Sequence, residues 1–299
     1  QRQMCIRDRK DTPQKVNIKL FRQGPKDIRL NDTKISQKEL IGTLNTVIFC
    51  PEDLQLIKGT PSGRRRFLDM EISQTSATYY HQLMQYNRLL QQRNAVLKEY
   101  RGKNTIPLEE WDLQLADMAS FIVKKRLESL KKINLLIDLM NRKLTGGLEN
   151  LTIGYEQPYM ENGSLEYTKE GFYERIKAAL PQDRHRMTTS VGPHRDDLRF
   201  FSDAMDLKKF GSQGQQRTAV LSLKLSELEF IKSEVGEYPV LLLDDVLSEL
   251  DESRRANLLQ FIHKRIQTFI TTTDIHDFKD LKSVQFISCE GGKVQYGQP

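Results

Sequence analysis

The spacing of apolar residues divides the chain into strand-like and helix-like segments. Residues 16–49 contain short apolar runs, VNIKLF and NTVIF, separated by glycine, proline and an Asn-Asp pair, which predicts strands joined by turns. Over residues 62–100 and 108–144, apolar residues instead recur every three or four positions, as on one face of a helix. We expect two long helices, joined around RGKNTIP and packed as an antiparallel arm. In the second helix, Asn134 and Asn141 interrupt the apolar stripe, which is interpreted as a packing seam.

The second half of the chain alternates between strand and helix patterns. Strands are predicted at LTIGYE, at LRFF, at residues 240–243 and at TFITTT, and helices at residues 169–180, 214–231 and 252–266. Because strands alternate with helices and residues 240–243 are apolar throughout, the pattern favours a mainly parallel sheet covered by helices. The expected fold class is α/β, with a helical lobe inserted into the sheet domain.

Four segments follow from these patterns. Residues 1–9, QRQMCIRDR, show no periodicity and are interpreted as a non-native remnant. Residues 10–60 are expected to form part of the sheet lobe, residues 61–148 the inserted helical lobe, and residues 149–299 the remainder of the sheet lobe.

The excess of positive over negative charge lies entirely in the predicted helical lobe. The net charge is +6, and residues 61–148 hold 15 Lys and Arg against 9 Asp and Glu, leaving 31 of each sign elsewhere. A local excess of this kind is expected of a region that binds a polyanion. A solvated helical surface rich in Lys and Arg is the alternative reading.

Several classes of protein are disfavoured by composition. The longest apolar runs fall well short of the roughly 18–20 residues that cross a bilayer, and no secretory signal precedes the first charged residues, so we expect no membrane partner. Cys5, Cys50 and Cys289 lie far apart, which excludes a zinc pattern and gives no sign of a disulfide framework. A reducing, cytoplasmic location is therefore expected.

Two adjacent carboxylates at the end of an apolar strand are the first candidate for chemistry. Asp244 and Asp245 follow VLLL, and ligands of open parallel sheets bind at the carboxyl ends of the strands. One carboxylate could hold Mg²⁺ and the other could orient or deprotonate a water molecule. Alternatively, Asp245 caps the following turn and Asp244 pairs with a lysine.

A glycine-rich loop before a long helix is the second candidate. In FGSQGQQ, Gly211 and Gly214 flank Ser212 and Gln213 at the predicted start of the helix. Glycines allow close approach of backbone N–H groups to an anion, and Ser212 and Gln215 could add side-chain donors. The alternative is an ordinary turn in which Ser212 only caps the helix.

The order of these motifs resembles that of an ABC-type ATPase: GSQGQQ, a helix, LLLDD, SELD and then TTTD at the next strand end. PEDLQLIKGTPSGRRRFLD and TSVGPHRDDL further resemble segments of the RecF family, and the resemblance extends from Lys10 to the end. It implies an ABC-type ATPase head of recombinational repair and replication restart, which dimerises around ATP and Mg²⁺ on DNA. Expected partners are single- and double-stranded DNA at junctions or gaps, and the mediator proteins RecR and RecO, with recombinase loading as the outcome.

The resemblance also implies roles for individual residues. Asp244 corresponds to the magnesium aspartate, and Asp245 occupies the position where ABC ATPases usually carry a catalytic glutamate. Residues 212–215, here called the signature loop, correspond to the segment that contacts the γ-phosphate bound by the other subunit: Ser212, Gln213, Gly214 and Gln215. Asp251 corresponds to the D-loop, and Thr273 stands where transporters carry a switch histidine. The departures at Asp245 and Thr273 suggest slow hydrolysis suited to a switch.

The phosphate-binding loop is missing from the sequence. No G-x-x-x-x-G-K-[ST] run occurs, and in the RecF family this loop precedes everything present here, so we interpret the chain as N-terminally truncated. A non-enzymatic fragment that retains only DNA-binding and partner-binding surfaces is the alternative. A transporter subunit is disfavoured by the basic helical insertion.

Candidate DNA contacts lie in the basic segment. Cations at a helix start are disfavoured by the helix dipole, so the arginines near residue 64 suggest a docked anion or pairing with nearby acids such as Asp69. The candidates for phosphate contacts without base readout are Arg64, Arg65, Arg66, Lys124, Lys125 and Arg126. His194 and Arg195 could sense nucleotide or DNA, or could form an internal turn.

Overall fold

The computed structural model describes residues 3–5, 14–99, 107–147, 149–159, 167–273, 278 and 284–296. The strands are β1 Gln3–Cys5, β2 Lys15–Lys19, β3 Asp27–Leu30, β4 Thr33–Lys34, β5 Thr46–Phe49, β6 Leu151–Glu156, β7 Asp197–Ser202, β8 Met205–Asp206, β9 Val240–Asp244, β10 Thr268–Thr271, β11 Ile287–Glu290 and β12 Lys293–Tyr296. The α-helices are α1 Gln55–Lys58, α2 Pro61–Thr75, α3 Ala77–Glu99, α4 Glu109–Thr145, α5 Lys169–Ala178, α6 Leu180–Arg186, α7 Leu207–Phe210, α8 Gln213–Val235 and α9 Glu252–Ile262.

A parallel sheet in the order β10-β9-β5 forms the centre of the α/β part, as the sequence predicts. Val47, Leu241 and Leu243 are buried on one face. On the other face Ile48 and Phe269 flank Leu242 in register, and they are 51% and 47% exposed. The described residues therefore cover the sheet fully on one side only, whereas parallel sheets are normally buried on both.

The described residues also form antiparallel sheets, which the strand patterns do not predict. The order β6-β7-β8 forms one, β1-β2-β3-β4 another, and β11-β12 a two-stranded ribbon. Gln3–Cys5, within the segment interpreted as a remnant, pairs with β2. Among the described residues, no helix has both the length and the apolar character needed to span a bilayer.

The first predicted long helix is in fact two helices, α2 and α3, separated at Ser76. Ser76 is extended (φ −141°, ψ 100°), and its Oγ accepts the N–H of Tyr79, so it ends one helix and caps the next. A serine side chain competes with the helical backbone for hydrogen bonds, which favours such a break. The predicted junction at residues 101–106 lies outside the described residues.

Helix α4 lies in the hydrophobic core and packs against α3, α5, α8 and β6. The two asparagines that interrupt its apolar stripe bind the chain beside it. Asn134 donates to the carbonyl of Ile153 (2.9 Å) and accepts the N–H of the same residue (2.7 Å), and Asn141 donates to the carbonyl of Glu149 (2.9 Å). The interruptions in the stripe thus attach α4 to the antiparallel sheet.

Candidate functional site

The two adjacent aspartates stand at the carboxyl edge of the parallel sheet, joined through a threonine of the neighbouring strand. The hydroxyl of Thr271 donates to Oδ1 of Asp244 (2.7 Å) and accepts the backbone N–H of Asp245 (3.0 Å). Asp244 and Thr271 are paired in the register of β9 and β10. This pairing places the Thr271 hydroxyl between the side chain of Asp244 and the backbone N–H of Asp245. The alternative pairing of Asp244 with a lysine is not observed in the described part of the chain.

Asp245 has left-handed backbone geometry, with φ at 51°. The conformation turns the chain sharply after β9 and is unfavourable for residues other than glycine, asparagine and aspartate. Ser248 holds the turn, because its hydroxyl bonds both the carbonyl (2.8 Å) and Oδ1 (3.1 Å) of Asp245. Both aspartates are exposed, so a ligand could reach them.

The donor set at this edge suits Mg²⁺ bound together with a phosphate. Within the described residues, no three His, Cys, Asp or Glu side chains are grouped to hold a metal ion on their own. Mg²⁺ commonly takes one or two carboxylates, water and substrate phosphates, and Asp244 supplies the carboxylate here.

Asp251 and Thr273 both follow the aspartate pair in the sequence. Asp251 caps α9: its Oδ1 accepts the N–H of Arg254 (2.9 Å), and this hydrogen bond, with the Arg254 guanidinium on Oδ2, holds the pKa of the exposed carboxyl below its ordinary value. Thr273 follows β10 and is exposed. Asp251 therefore follows the end of β9 and Thr273 follows the end of β10, at the carboxyl edge of the sheet.

The signature loop begins α8 as a capping box. The Oγ of Ser212 accepts the N–H of Gln215 (3.2 Å), and the side-chain oxygen of Gln215 accepts the N–H of Ser212 (3.0 Å). Ser212 therefore is an N-cap, as the simpler reading held, and it also stands exposed at a helix start that favours anions.

Among the described residues, nothing requires Gly214 to lack a side chain. Its φ is not positive, and an added Cβ would meet only the Ser212 hydroxyl, at 3.9 Å. The space in front of it is open to another molecule. Phe210, just before the loop, is 71% exposed, which adds an apolar surface to the same end of α8.

The lengths of α8 and β9 separate the signature loop from Asp244. Four residues join α8 to β9, so a helix that folds back along the strand begins on the side where the strand ends. A strand of 5 residues spans about 16 Å and a helix of 23 residues about 34 Å, which places the loop about 18 Å beyond the sheet edge. The ion pair between Lys224 and Asp53 (3.2 Å) agrees with this estimate. Lys224 lies halfway along α8 and Asp53 lies just past the end of β5, so the middle of the helix is level with the sheet edge.

Lys224 also lies among three acids, of which Asp53 is one. Glu227 lies one turn further on (3.3 Å), and Glu71 of α2 is fully buried beside them, with Oε2 unpartnered within the described residues. Burial raises the pKa of both glutamates, that of Glu71 to about 7. The cluster thus joins α2, α8 and the turn after β5 and favours a protonated carboxyl.

Arg64 and Arg126, predicted to contact DNA phosphates, are buried ion-pair residues, so that prediction is corrected for both. Arg64 forms two hydrogen bonds to Asp197, at 2.7 and 2.8 Å, and is 3% exposed. Arg126 is 2% exposed and forms two bonds to Asp69, at 2.9 and 3.0 Å. Their guanidinium groups are already satisfied by carboxylates inside the fold, which leaves no surface for a phosphate.

The other candidate basic residues remain at or near the surface. Arg66 and Lys124 are exposed. Arg65 is half-buried and donates to the carbonyl of Asp196 (2.7 Å), while Lys125 lies 3.6 Å from Glu128, a loose surface pair.

His194 and Arg195 form an internal turn. Nε2 of His194 donates to the carbonyl of Thr189 (3.0 Å), so its Nδ1 accepts the hydroxyl of Tyr86 (2.6 Å). Arg195 donates to the same carbonyl. Burial, with help from nearby Arg195, lowers the pKa of His194 to about 4, so the ring is neutral at pH 7.

We expect His194 to make the protein sensitive to acid. Because its pKa falls from 6.5 to about 4 on folding, the unfolded state binds the proton first, and stability is lost as the pH falls between these values. The contribution of His194 should be about 3 kcal/mol, measured as the difference between the parent and His194→Gln in urea unfolding at pH 7.5 and pH 4. The raised pKa of Glu71 acts in the opposite direction and is common to both proteins, so it cancels in this difference. Equal changes in the two proteins would contradict the assignment.

The comparisons with known proteins agree with one another, although no family model matches the chain. The chain is 48% identical to the DNA replication and repair protein RecF of Alkaliphilus oremlandii, over 89% of this chain and 73% of that one. It is 45% identical to RecF of Clostridium botulinum strain Eklund 17B, over 95% and 78%. The chain therefore spans about three quarters of the length of these relatives.

Solved structures give the same result for the fold. A structure of the recombination mediator protein RecF with ATPrS in the RecFOR pathway superposes with a TM-score of 0.88 at 35% identity, covering 98% of this chain and 79% of that one. The head domain of Smc from Pyrococcus furiosus superposes with a TM-score of 0.50 at 15% identity, over 96% and 72%, which supports the ABC-type fold alone. Identity at this level over most of both chains shows that the protein belongs to the RecF family of DNA replication and repair proteins.

Proposed function

We propose that this protein is a DNA-binding ABC-type ATPase of recombinational repair and replication restart, which dimerises around ATP and promotes recombinase loading at gapped DNA. The observation that supports this most is an acidic sheet edge and a capped, exposed signature loop in the same chain. The lengths of α8 and β9 put the two about 18 Å apart. RecR and RecO are the proposed protein partners, because the solved relative acts in the RecFOR pathway. The proposed location is the cytoplasm.

Each half of the site would serve a different copy of the chain. Asp244 would hold Mg²⁺, which neutralises phosphate charge, and Asp245 would orient and deprotonate a water molecule. Ser212, Gln213, Gly214 and Gln215 would present backbone and side-chain donors to the γ-phosphate held by the second copy. Asp251 and Thr273 would border the same interface.

Distance is the reason for assigning these roles across two copies. A single γ-phosphate spans only a few ångströms, whereas the signature loop stands about 18 Å past the sheet edge of its own chain. The exposed Gly214 and Phe210 give the loop an open surface that a second copy could cover.

A second candidate function is favoured by one observation, the absence of a G-x-x-x-x-G-K-[ST] run from the 299 residues. The chain by itself would then keep DNA-binding and partner-binding surfaces without hydrolysing ATP, because no backbone cradle positions the phosphates. Nucleotide binding by the isolated chain, measured by calorimetry, discriminates between the two. Micromolar binding would favour the first, and no binding the second.

DNA binding is expected to be electrostatic and independent of sequence. If about six phosphates are contacted, affinity should fall by ~10³ or more between 50 and 200 mM salt, as measured by fluorescence anisotropy. Lys124→Ala should weaken binding to all sequences and reduce the salt slope by about 1.

Lys38 supplies the matched control for this measurement, since it is an exposed lysine outside residues 61–148. Lys38→Ala should leave the slope unchanged. A flat salt response, a strong preference for one sequence, or equal effects of the two substitutions would contradict binding through the helical lobe.

A further inference from the structure

Glu149 lies between α4 and β6, and hydrogen bonds from two other elements occupy both of its carboxylate oxygens. The side-chain amide of Gln215 donates to Oε1 (3.0 Å), and the hydroxyl of Ser202 donates to Oε2 (2.9 Å). Gln215 belongs to the signature loop and Ser202 ends β7. The carboxylate therefore ties the loop to the antiparallel sheet.

The bond from Gln215 fixes the orientation of the glutamine amide. Its nitrogen faces Glu149, and its oxygen accepts the N–H of Ser212. If the amide turned over, its NH₂ would meet the N–H of Ser212 and its oxygen would meet the carboxylate, so both contacts would be repulsive. Glu149 thus selects the one orientation that completes the capping box.

The backbone of Glu149 is itself held in place by a buried asparagine. Asn141 of α4 donates to its carbonyl (2.9 Å) and accepts the hydroxyl of Ser222 in α8 (3.1 Å). Asn141 and Ser222 are 3% and 0% exposed. Asn141, which interrupts the apolar stripe of α4, therefore connects α4 to Glu149 and to α8, the helix that begins with the signature loop.

We propose that Glu149 is a positioning residue for the signature loop. It contacts no ligand; it holds Gln215 so that Ser212 and the first N–H groups of α8 keep the geometry in which they would meet a phosphate. The proposal rests on the function proposed above for that loop. The role is geometric: the side chain of Glu149 must bond both Gln215 and Ser202, and its negative charge is not required.

The first test measures hydrogen exchange in the 299-residue chain. Glu149→Ala should speed exchange about tenfold in peptides that cover residues 210–217. Glu149→Gln should stay near the parent rate, because its carbonyl can face Gln215 while its NH₂ donates to the Ser202 hydroxyl, which can also accept. Ser202→Ala, which leaves the Gln215 contact in place, should have a smaller effect than Glu149→Ala and covers the case in which that variant does not fold.

Glu234 is the matched control. It lies at the other end of α8 from the signature loop and accepts a hydrogen bond from Lys132 of α4 (2.5 Å). Glu234→Ala should leave exchange in residues 210–217 unchanged. An effect of Glu234→Ala equal to that of Glu149→Ala, no effect of Glu149→Ala, or a Gln variant as fast as the Ala variant would each overturn the proposal.

The second test measures self-association in the presence of a non-hydrolysable ATP analogue. It uses a form of the protein that carries the phosphate-binding loop, or P-loop, G-x-x-x-x-G-K-[ST]. Glu149→Ala should weaken association about tenfold and leave nucleotide affinity of the monomer unchanged, and Glu149→Gln should restore association. The parent protein could fail to associate while Glu149→Ala still speeds hydrogen exchange in residues 210–217. That result would reject the proposed ATP-dependent dimer and would support the positioning role of Glu149. Undiminished association of the Ala variant would reject the positioning role.

Discussion

Replacing Arg93 by alanine is expected to lower the free energy of unfolding by about 3–5 kcal/mol. Arg93 is fully buried and joins α3 to two other parts of the chain: its guanidinium donates to Asp112 (2.6 Å), Asp183 (2.7 Å) and Thr189 (2.9 Å). Without it, two buried carboxylates lose their cation. Urea unfolding of the 299-residue chain at pH 7 measures the loss.

Arg88 gives the control, because it lies on the same helix with its side chain exposed. Arg88→Ala should change stability by no more than about 0.5 kcal/mol. A loss for Arg93→Ala no larger than that for Arg88→Ala would mean that the buried carboxylates find other partners.

Asp245→Asn is expected to slow ATP hydrolysis by ~10²–10⁴-fold, the range typical of a lost general base, while sparing nucleotide binding. The measurement needs a form of the protein that carries a P-loop, since these 299 residues contain none. The ATP-bound dimer should then accumulate, which sedimentation detects. The 299-residue chain alone should show no hydrolysis, because nothing positions the phosphates for Asp244.

Asp244→Asn separates the two carboxylates. It removes a proposed metal ligand, so Mg²⁺-dependent nucleotide binding and hydrolysis should weaken together. Equal effects of the two substitutions on binding would reject the division of roles. Robust hydrolysis by the 299-residue chain that Asp244→Asn abolishes would reject the requirement for a P-loop.

Short-range sequence patterns predict the position of β9, whose end forms the sheet edge, and the start of α8. The apolar run before Asp244 predicts β9 to within one residue, and the serine and glycines predict the start of α8 to within one. Both features depend on neighbours in sequence: strand burial, helix capping and turn chemistry. The same holds for the short strands β5 and β6, whose apolar patterns gave their positions.

Partners distant in sequence could not be predicted in this way. A run of arginines near residue 64 is compatible with binding either a phosphate or a carboxylate. In the structure Arg64 binds the carboxylate of Asp197, which lies 133 residues away in the sequence. Thr271 was missed because its contact with Asp244 depends on the register of two parallel strands. A pairing register between strands is set by the whole fold, and no single segment encodes it.

The central sheet also constrains how the chain can fold during synthesis. Strand β5 ends at Phe49, and its neighbour β9 begins at Val240, so about 190 residues must leave the ribosome before the two can pair. Helices α2, α3 and α4 meet through contacts much closer in sequence and can form first. Until β9 arrives, β5 has an unpaired edge and an uncovered apolar face, which makes this interval the most prone to aggregation. Slower translation after residue 145 would lengthen that interval, and a chaperone that shields short apolar strands would act there.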